Sequence, residues 1–404
     1  MRVCLINSDS GYGSTGRITC DLSRAIIENG NEVRIGYGRD CTEDNPYNIK
    51  IGNKFHVYLH VIKTRLFDLQ GYGSRGVTKS FIKKIKKFKP DLIHLHNIHG
   101  SYINIELLFK YIKENKIPVV WTLHDCWSYT GHCANYTYVN CNKWESMCYD
   151  CVQKKIYPAS ILKDNSRNNF NRKRDLFCGV DNLTICTVSW WLKEEVSRSF
   201  LSGYECRVIP NGIDLSVFKP IKSNFRKKYQ LADKKILLGV ASVWHDRKGL
   251  GLFNELADSL SEEYQIVLVG INKNQKKEVS DKIITIPRSN NIREIVKIYT
   301  AADMLLNLSK EETFGMVTLE ALACGTMVIT NKYSANKEIV DETCGFIVNE
   351  LTVGELLIGI HHLLNEPKDQ RACRSKASRY DKKHIYDKYI KLYEEVLHED
   401  IMVN

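Results

Sequence analysis

RVCLINSDSGYGSTGRITCDLSRAIIENGNEVRIGYG, residues 2–38, holds four segments of different character. RVCLINS is a short unbroken apolar run, the pattern of a buried strand. GYGSTGR breaks it with three glycines. ITCDLSRAIIENG then places its apolar residues at helical spacing, and NEVRIGYG is a second strand. Strand, loop, helix and strand in this order make a βαβ unit, which implies a parallel sheet.

The alternation continues outward. KPDLIHLHNIHG (89–100) is a strand entering a histidine-bearing loop, and PVVWTLHD (118–125) is a strand ending at His124-Asp125. NLTICTVSWWLKEEV and CRVIPNGID follow. A second series starts near residue 234, with KKILLGVASVW, YQIVLVGI, DKIITIP, ADMLLNLS and TMVITN as short apolar runs separated by helices. The expected organisation is α/β, two Rossmann-like domains in tandem. Residues 1–210 make the first, with a Cys-rich insertion at 126–157, and residues 211–383 the second. The terminal helix, 384–398, has aromatic and aliphatic residues on one face and is expected to pack back on the first domain.

A chain of 404 residues is too long for one ordinary core, which agrees with two domains. The opening residues lack the long apolar core of a secretory signal, and no window nears the roughly 20 apolar residues of a membrane span. The expected location is the cytoplasm, where thiols stay reduced. A formal charge of +11 suits an acidic partner, whether nucleic acid, anionic membrane or phosphorylated substrate.

Gly11, Gly13 and Gly16 match the spacing of the dinucleotide fingerprint, yet the following strand ends in Gly36 and Gly38 rather than an acidic residue. The loop reads as a tight strand-to-helix turn whose amides can approach an anion or a sugar. It reads equally as a turn without a ligand.

SKEETFGMVTLEALACGTMVITN, residues 309–331, carries the strongest chemical signal. Glu312 and Glu320 are separated by seven residues, and between them Phe314-Gly315 breaks the chain before a helix begins. A helix start presents free amides and the positive dipole end to an anion. Glu320, a turn inside, suits a vicinal diol such as a ribose, and Glu312 projects from the preceding loop. This arrangement suits a nucleoside diphosphate carrying a sugar. Upstream, Arg247 and Lys248 precede another helix, where cations can neutralise a leaving diphosphate without bound metal.

Together these residues resemble the retaining glycosyltransferases of family 4, over nearly the whole chain. EETFGMVTLEALACGTMV matches the family's E-x7-E motif, VIPNGID its interdomain segment, and DLIHLH and WTLHD its first-domain strand ends. Residues 123–151 are most similar to bacterial exopolysaccharide and O-antigen transferases of the colanic-acid type. The resemblance implies the GT-B fold, two facing Rossmann-like domains with a deep cleft between them. It implies transfer from a nucleoside-diphosphate sugar to a saccharide acceptor on a lipid diphosphate, with retention of configuration. By the same resemblance Lys248, with Arg247, binds the diphosphate, Glu312 the sugar hydroxyls and Glu320 the ribose. Phe314, Gly315, Met316 and Val317 set helix-end amides around the phosphates. His124 faces the donor sugar from the first domain, and Gly13 lines the site. Catalysis would require no cofactor. One departure is Ser242, which stands where the family carries an arginine.

Cys133, Cys141, Cys148 and Cys151 crowd into nineteen residues. In a reduced compartment the spacing suits a structural zinc, with His132 able to replace one thiolate; buried free thiols and redox pairing are the alternatives. Trp127, Tyr129, Tyr136, Tyr138 and Trp144 would stack on sugars or pack around this knuckle. A zinc-knuckle nucleic-acid-binding protein is the competing class, but residues 126–151 hold Lys143 as their only Lys or Arg. A nucleotide-sugar-binding protein without activity is a third reading. Finally, residues 78–91 place Lys79, Lys83, Lys86 and Lys87 opposite Phe81, Ile82, Ile85 and Phe88. That helix either docks on an anionic membrane or packs on its own sheet.

Overall fold

The computed structural model describes residues 1–42, 45–288, 291–365 and 369–403, with side chains through residue 398. The chain divides into two compact units, Met1–Pro210 with Lys383–Asn404, and Asn211–Lys382.

The first unit is built on seven parallel strands: β1 (Arg2–Asn7), β2 (Glu32–Tyr37), β3 (Asn48–Lys50), β4 (Leu92–Leu95), β5 (Val119–Leu123), β6 (Leu183–Thr187) and β7 (Glu205–Val208). Their order across the sheet is β3-β2-β1-β4-β5-β6-β7. Helices cover both faces, so the central strands are apolar throughout rather than alternating. β4, β5 and β6 are buried at every position. Gly36 and Gly38 are packing residues: a Cβ would meet Phe81 Cζ at 2.4 Å and Tyr102 Cβ at 2.0 Å.

The Lys382–Val403 helix returns to this unit. Ile385, Tyr389, Tyr393 and Val396 recur on one face and share a core with Val3, Leu5, Val33 and Val120. Between β5 and the Ser166–Phe177 helix the chain makes only three short 3-10 turns. Tyr129, Tyr136 and Trp144 pack there on one another at 4.8–6.3 Å between ring centres. These three rings and Trp127 are buried, so they form a small core and are not offered to sugars.

The second unit holds six parallel strands: β8 (Lys235–Val240), β9 (Tyr264–Val269), β10 (Ile284–Ile286), β11 (Met304–Leu306), β12 (Met327–Asn331) and β13 (Gly345–Val348). Their order is β10-β9-β8-β11-β12-β13. Each sheet reverses its winding once, between β1 and β4 and between β8 and β11. In open α/β sheets ligands bind outside the carboxyl ends of the strands at such a reversal.

The helix expected over 78–91 spans Arg75–Phe88. Phe81 and Ile85 are buried against the sheet, with the lysines outside. Ile82 and Phe88, at the margins of the apolar face, are half-buried, and its centre packs on its own unit as in an ordinary core helix.

Candidate active site

In the second unit, the loops leaving β8 and β11 meet at the reversal. The β8 loop ends in a 3-10 turn, Asp246–Lys248, closed by Gly249 at φ +76°. That left-handed turn lets the chain pass Leu308; a Cβ at Gly249 would come within 2.7 Å of the Leu308 carbonyl oxygen. The close approach brings Lys248 Nζ onto Glu312 Oε1 as an ion pair. Arg247 donates to the Glu311 carbonyl, and Lys310 N–H returns a bond of 2.8 Å to the Arg247 carbonyl. Arg247 thus clasps the two loops while Lys248 and Glu312 stand together.

The pair is mostly enclosed, with side chains 20% and 13% exposed. Burial draws the Lys248 ammonium below its ordinary range, and Glu312 opposes that fall. Burial alone would raise the Glu312 carboxyl; Lys248 and Arg247 outweigh it and hold it below the usual carboxylate range. The two groups support each other's charge in a low-dielectric pocket.

Glu312 is held from behind by its own backbone. Its N–H donates to Ser334 Oγ at 2.8 Å, and its carbonyl accepts from Ala335 N–H at 3.1 Å. Gly315 takes φ +97° and starts the Met316–Ala323 helix. The first bond to its carbonyl comes from Thr318 N–H at 3.0 Å, so Met316 and Val317 lie in the turn whose amides have no intrahelical partner. Phe314 is buried edge-on against Tyr380, 5.7 Å between ring centres. Glu320 is buried and accepts from the Tyr299 hydroxyl at 3.0 Å.

A buried amide network, which the sequence reading missed, fixes these loops. Asn307 Nδ2 donates to Thr318 Oγ1 (2.9 Å), Asn331 Nδ2 to the Ser309 carbonyl (2.9 Å) and Asn336 Nδ2 to that same carbonyl (2.8 Å). The available signal was an asparagine closing or following an apolar strand, at 307 and 331. Also missed is a cavity of about 480 Å³ at the carboxyl ends of β8, β9 and β10. Ser242 lines it, and Lys273, Lys276 and Arg288 supply cations from the neighbouring loops.

In the first unit, the Gly13–Glu28 helix starts directly after the glycine loop. Gly11 and Gly13 lie at φ +75° and +66°, and Gly11 N–H closes onto the Gly16 carbonyl at 2.9 Å. Across the reversal, β4 and β5 present a row of histidines. His94 bridges Tyr393 O–H (2.6 Å) and Thr122 Oγ1 (2.8 Å), and its ring lies 4.1 Å from that of His96. His96 Nδ1 meets His124 Nε2 at 3.1 Å. Burial lowers the pKa of all three, His124 to about 4, so the row is neutral at physiological pH. Beside it Asp125 pairs with His99 Nε2 at 2.8 Å. Burial would raise this carboxyl, but His99 and the Trp127 amide hold it low. His124 is thus a neutral, hydrogen-bonding imidazole fixed by its neighbours.

The cysteines come together only in part. The Cys133 thiol hydrogen-bonds Cys151, which brings Cys151 down to about 7 against the opposing effect of burial. Cys148 Sγ accepts Gly131 N–H at 3.2 Å, and burial pushes its thiol up to about 12. His132 is turned away from the thiols, its Nδ1 meeting Asp68 Oδ1 at 2.6 Å and its Nε2 the Ile156 carbonyl at 3.4 Å. Among the described residues no three His, Cys, Asp or Glu side chains are gathered to hold a metal ion. The arrangement as it stands does not fit a structural zinc.

Two parallel Rossmann-like sheets, each with polar side chains gathered at its reversal, define an α/β class with two doubly wound units. The comparisons make this specific: residues 15–217 match the Glycosyltransferase Family 4 model and residues 221–380 the Glycosyl transferases group 1 model. The chain belongs to glycosyltransferase family 4, is a transferase, and has the GT-B fold class. It is 23% identical to a putative colanic acid biosynthesis glycosyl transferase, WcaC, of Escherichia coli K12, over 98% of this chain and 100% of that one. Among solved structures it is similar to sucrose-phosphate synthase of Thermosynechococcus elongatus (TM-score 0.71, 16% identity, 99% of this chain and 100% of that one). It is also similar to Anabaena HepE in complex with UDP and glucose (TM-score 0.66, 14% identity, 98% and 100%). The competing nucleic-acid-binding class finds no support in these matches.

Proposed function

We propose that the chain transfers a hexosyl or related sugar, with retention of configuration, from a nucleoside-diphosphate sugar to a saccharide acceptor held on a lipid diphosphate. The setting would be bacterial surface polysaccharide synthesis, in the cytoplasm and peripheral to the inner membrane face. The observation that carries the reading is the enclosed Lys248–Glu312 pair at the reversal of the second sheet. It sets a fixed cation for a diphosphate beside a fixed carboxylate for sugar hydroxyls. The name of WcaC and the UDP and glucose of the HepE complex support the same class of substrates.

In this reading the diphosphate lies between Lys248 and the amides at Met316 and Val317, while Arg247 stiffens the β8 loop. Glu312 holds the sugar, and Glu320, oriented by Tyr299, holds the ribose. The cavity beside Ser242 takes the nucleoside, with Arg288 supplying a cation that the family draws from the Ser242 position. Within the first unit, His124 and the Gly13 loop are the groups offered to a sugar. As the C1–O bond to the diphosphate breaks, the acceptor oxygen bonds to C1 on the same face. The acceptor's proton passes to a diphosphate oxygen. The chain's part is to stabilise the developing negative charge with groups already in place. Lys248 supplies the counter-charge, so no cofactor is assigned to the step.

The test has two arms. A panel of UDP- and GDP-sugars is screened for thermal stabilisation; a true donor at a hundred times its dissociation constant should add about 2.7 kcal/mol. The product formed with that donor is then read by NMR. Stabilisation by no nucleotide sugar would remove the donor reading, and an inverted anomer would remove retention.

A further inference from the structure

The Lys54–Phe67 helix of the first unit is turned inside out. Its buried residues are His60 and Thr64, both polar. His60 Nε2 accepts Gly73 N–H at 3.0 Å, which leaves Nδ1 to donate to Ser74 Oγ at 2.9 Å. The outward side carries Phe55 (64% exposed), Tyr58 (62%), Leu59 and Phe67. A surface helix ordinarily places such residues against the core.

The patch does not stop at the helix. Residues 160–163 run alongside its last turn, where Ile161 N–H donates to the Arg65 carbonyl (2.6 Å) and Lys163 N–H to the Leu66 carbonyl (3.2 Å). This strip exposes Ile161 and Leu162, and Ile156, four residues before it, is exposed as well. Of the fifteen exposed large apolar side chains among the described residues, nine lie in 55–67 and 152–162. Concentrated exposure of this kind marks an interaction site.

The charge pattern selects the occupant. Lys54, Lys63, Arg65, Lys155 and Lys163 are exposed around the apolar side chains. Segments 51–67 and 152–163 contain no Asp or Glu. Apolar side chains in a ring of cations without a carboxylate complement the headgroup region of an anionic bilayer. No helix among the described residues is long and apolar enough to cross a membrane, so contact would be made in the interface plane.

We propose that the outer face of Lys54–Phe67 together with residues 156–163 is the surface by which the chain docks on anionic lipid. The Arg75–Phe88 helix, which buries Phe81 and Ile85 and exposes no large apolar side chain, does not serve. The inference deepens the proposed function by giving the membrane-side partner, but its test needs neither donor nor acceptor. A failure here would leave the transfer reading standing.

The test is flotation of the full chain with phosphatidylglycerol vesicles and with phosphatidylcholine vesicles. The wild type should bind the first, more weakly as salt is added, and not the second. Phe55→Ser/Tyr58→Ser/Leu59→Ser should lower binding at least a hundredfold, about tenfold for each side chain withdrawn from the apolar layer. Lys54→Glu/Lys63→Glu should lower it at least tenfold at low salt. Lys83→Glu/Lys86→Glu should change it less than twofold after allowance for net charge. All substituted side chains are exposed, so melting temperatures should match the wild type; should the triple variant melt lower, the charge variant decides. The proposal is overturned if the wild type binds neither vesicle, or if the first two variants bind like the wild type. It is overturned likewise if only Lys83→Glu/Lys86→Glu abolishes binding, or if the wild type is a dimer that the triple variant converts to monomer without any vesicle binding.

Discussion

Glu312→Gln removes the carboxylate from an enclosed ion pair while keeping its shape. Breaking a fully buried pair costs about 3–5 kcal/mol. Here the side chains keep 20% and 13% exposure, and the glutamine amide oxygen can still accept from Lys248 Nζ, so about 2 kcal/mol is expected. In a unit the size of Asn211–Lys382 that lowers the melting temperature by about 4–8 °C. Turnover should fall about a hundredfold, the effect of losing one preorganised electrostatic contact to the reacting groups. The charge on Lys248 responds as well. Burial already depresses its pKa and Glu312 opposes that. Without the carboxylate the ammonium discharges at lower pH, and nucleoside diphosphate affinity is lost earlier as pH rises. Calorimetric titration of the nucleoside diphosphate across neutral to alkaline pH, with melting curves and transfer rates, measures all three quantities. A variant that kept its melting temperature, turnover and pH dependence would refute the assignment of this pair.

Lys248→Ala should weaken nucleoside diphosphate binding at least tenfold, read by the same titration. Gly249→Ala should lower the melting temperature by several degrees, because its φ of +76° and the 2.7 Å approach to Leu308 both oppose a side chain. Burial lowers His60 to about 4 against an unfolded value near 6.5, so its contribution to stability is complete above that range. It is lost as pH falls toward 4, by about 2 kcal/mol at pH 5, and a melting series in which acid did not destabilise the wild type more than His60→Gln would contradict this. Cys151, at about 7, should be the most rapidly alkylated thiol of its cluster at neutral pH, and Cys133→Ala should slow it by removing the hydrogen bond; peptide mapping by mass spectrometry reads the order.

The two βαβ series were legible because parallel strands buried on both faces must be apolar throughout. The Glu312–Glu320 pair was legible because it is local, a loop and the helix after it within nine residues of chain. The partners were not. Lys248 and Glu312 lie 64 residues apart, His132 and Asp68 also 64, and His94 and Tyr393 299. A sequence read one window at a time holds no distance between such residues. Periodicity also names the residues that share a face without saying what covers the face. Two helices show the difference. In Arg75–Phe88 the centre of the apolar face lies under its own sheet, whereas in Lys54–Phe67 His60 found partners in Gly73 and Ser74 and the aromatic side was left outside. The sequence by itself determined the parallel α/β sheets and the carboxylate motif, since both are written in local pattern. Only the tertiary structure decided that Arg247 is a clasp, that His124 stands neutral in a row of buried rings, and which helix turns its apolar face to solvent, since each depends on contacts between distant segments.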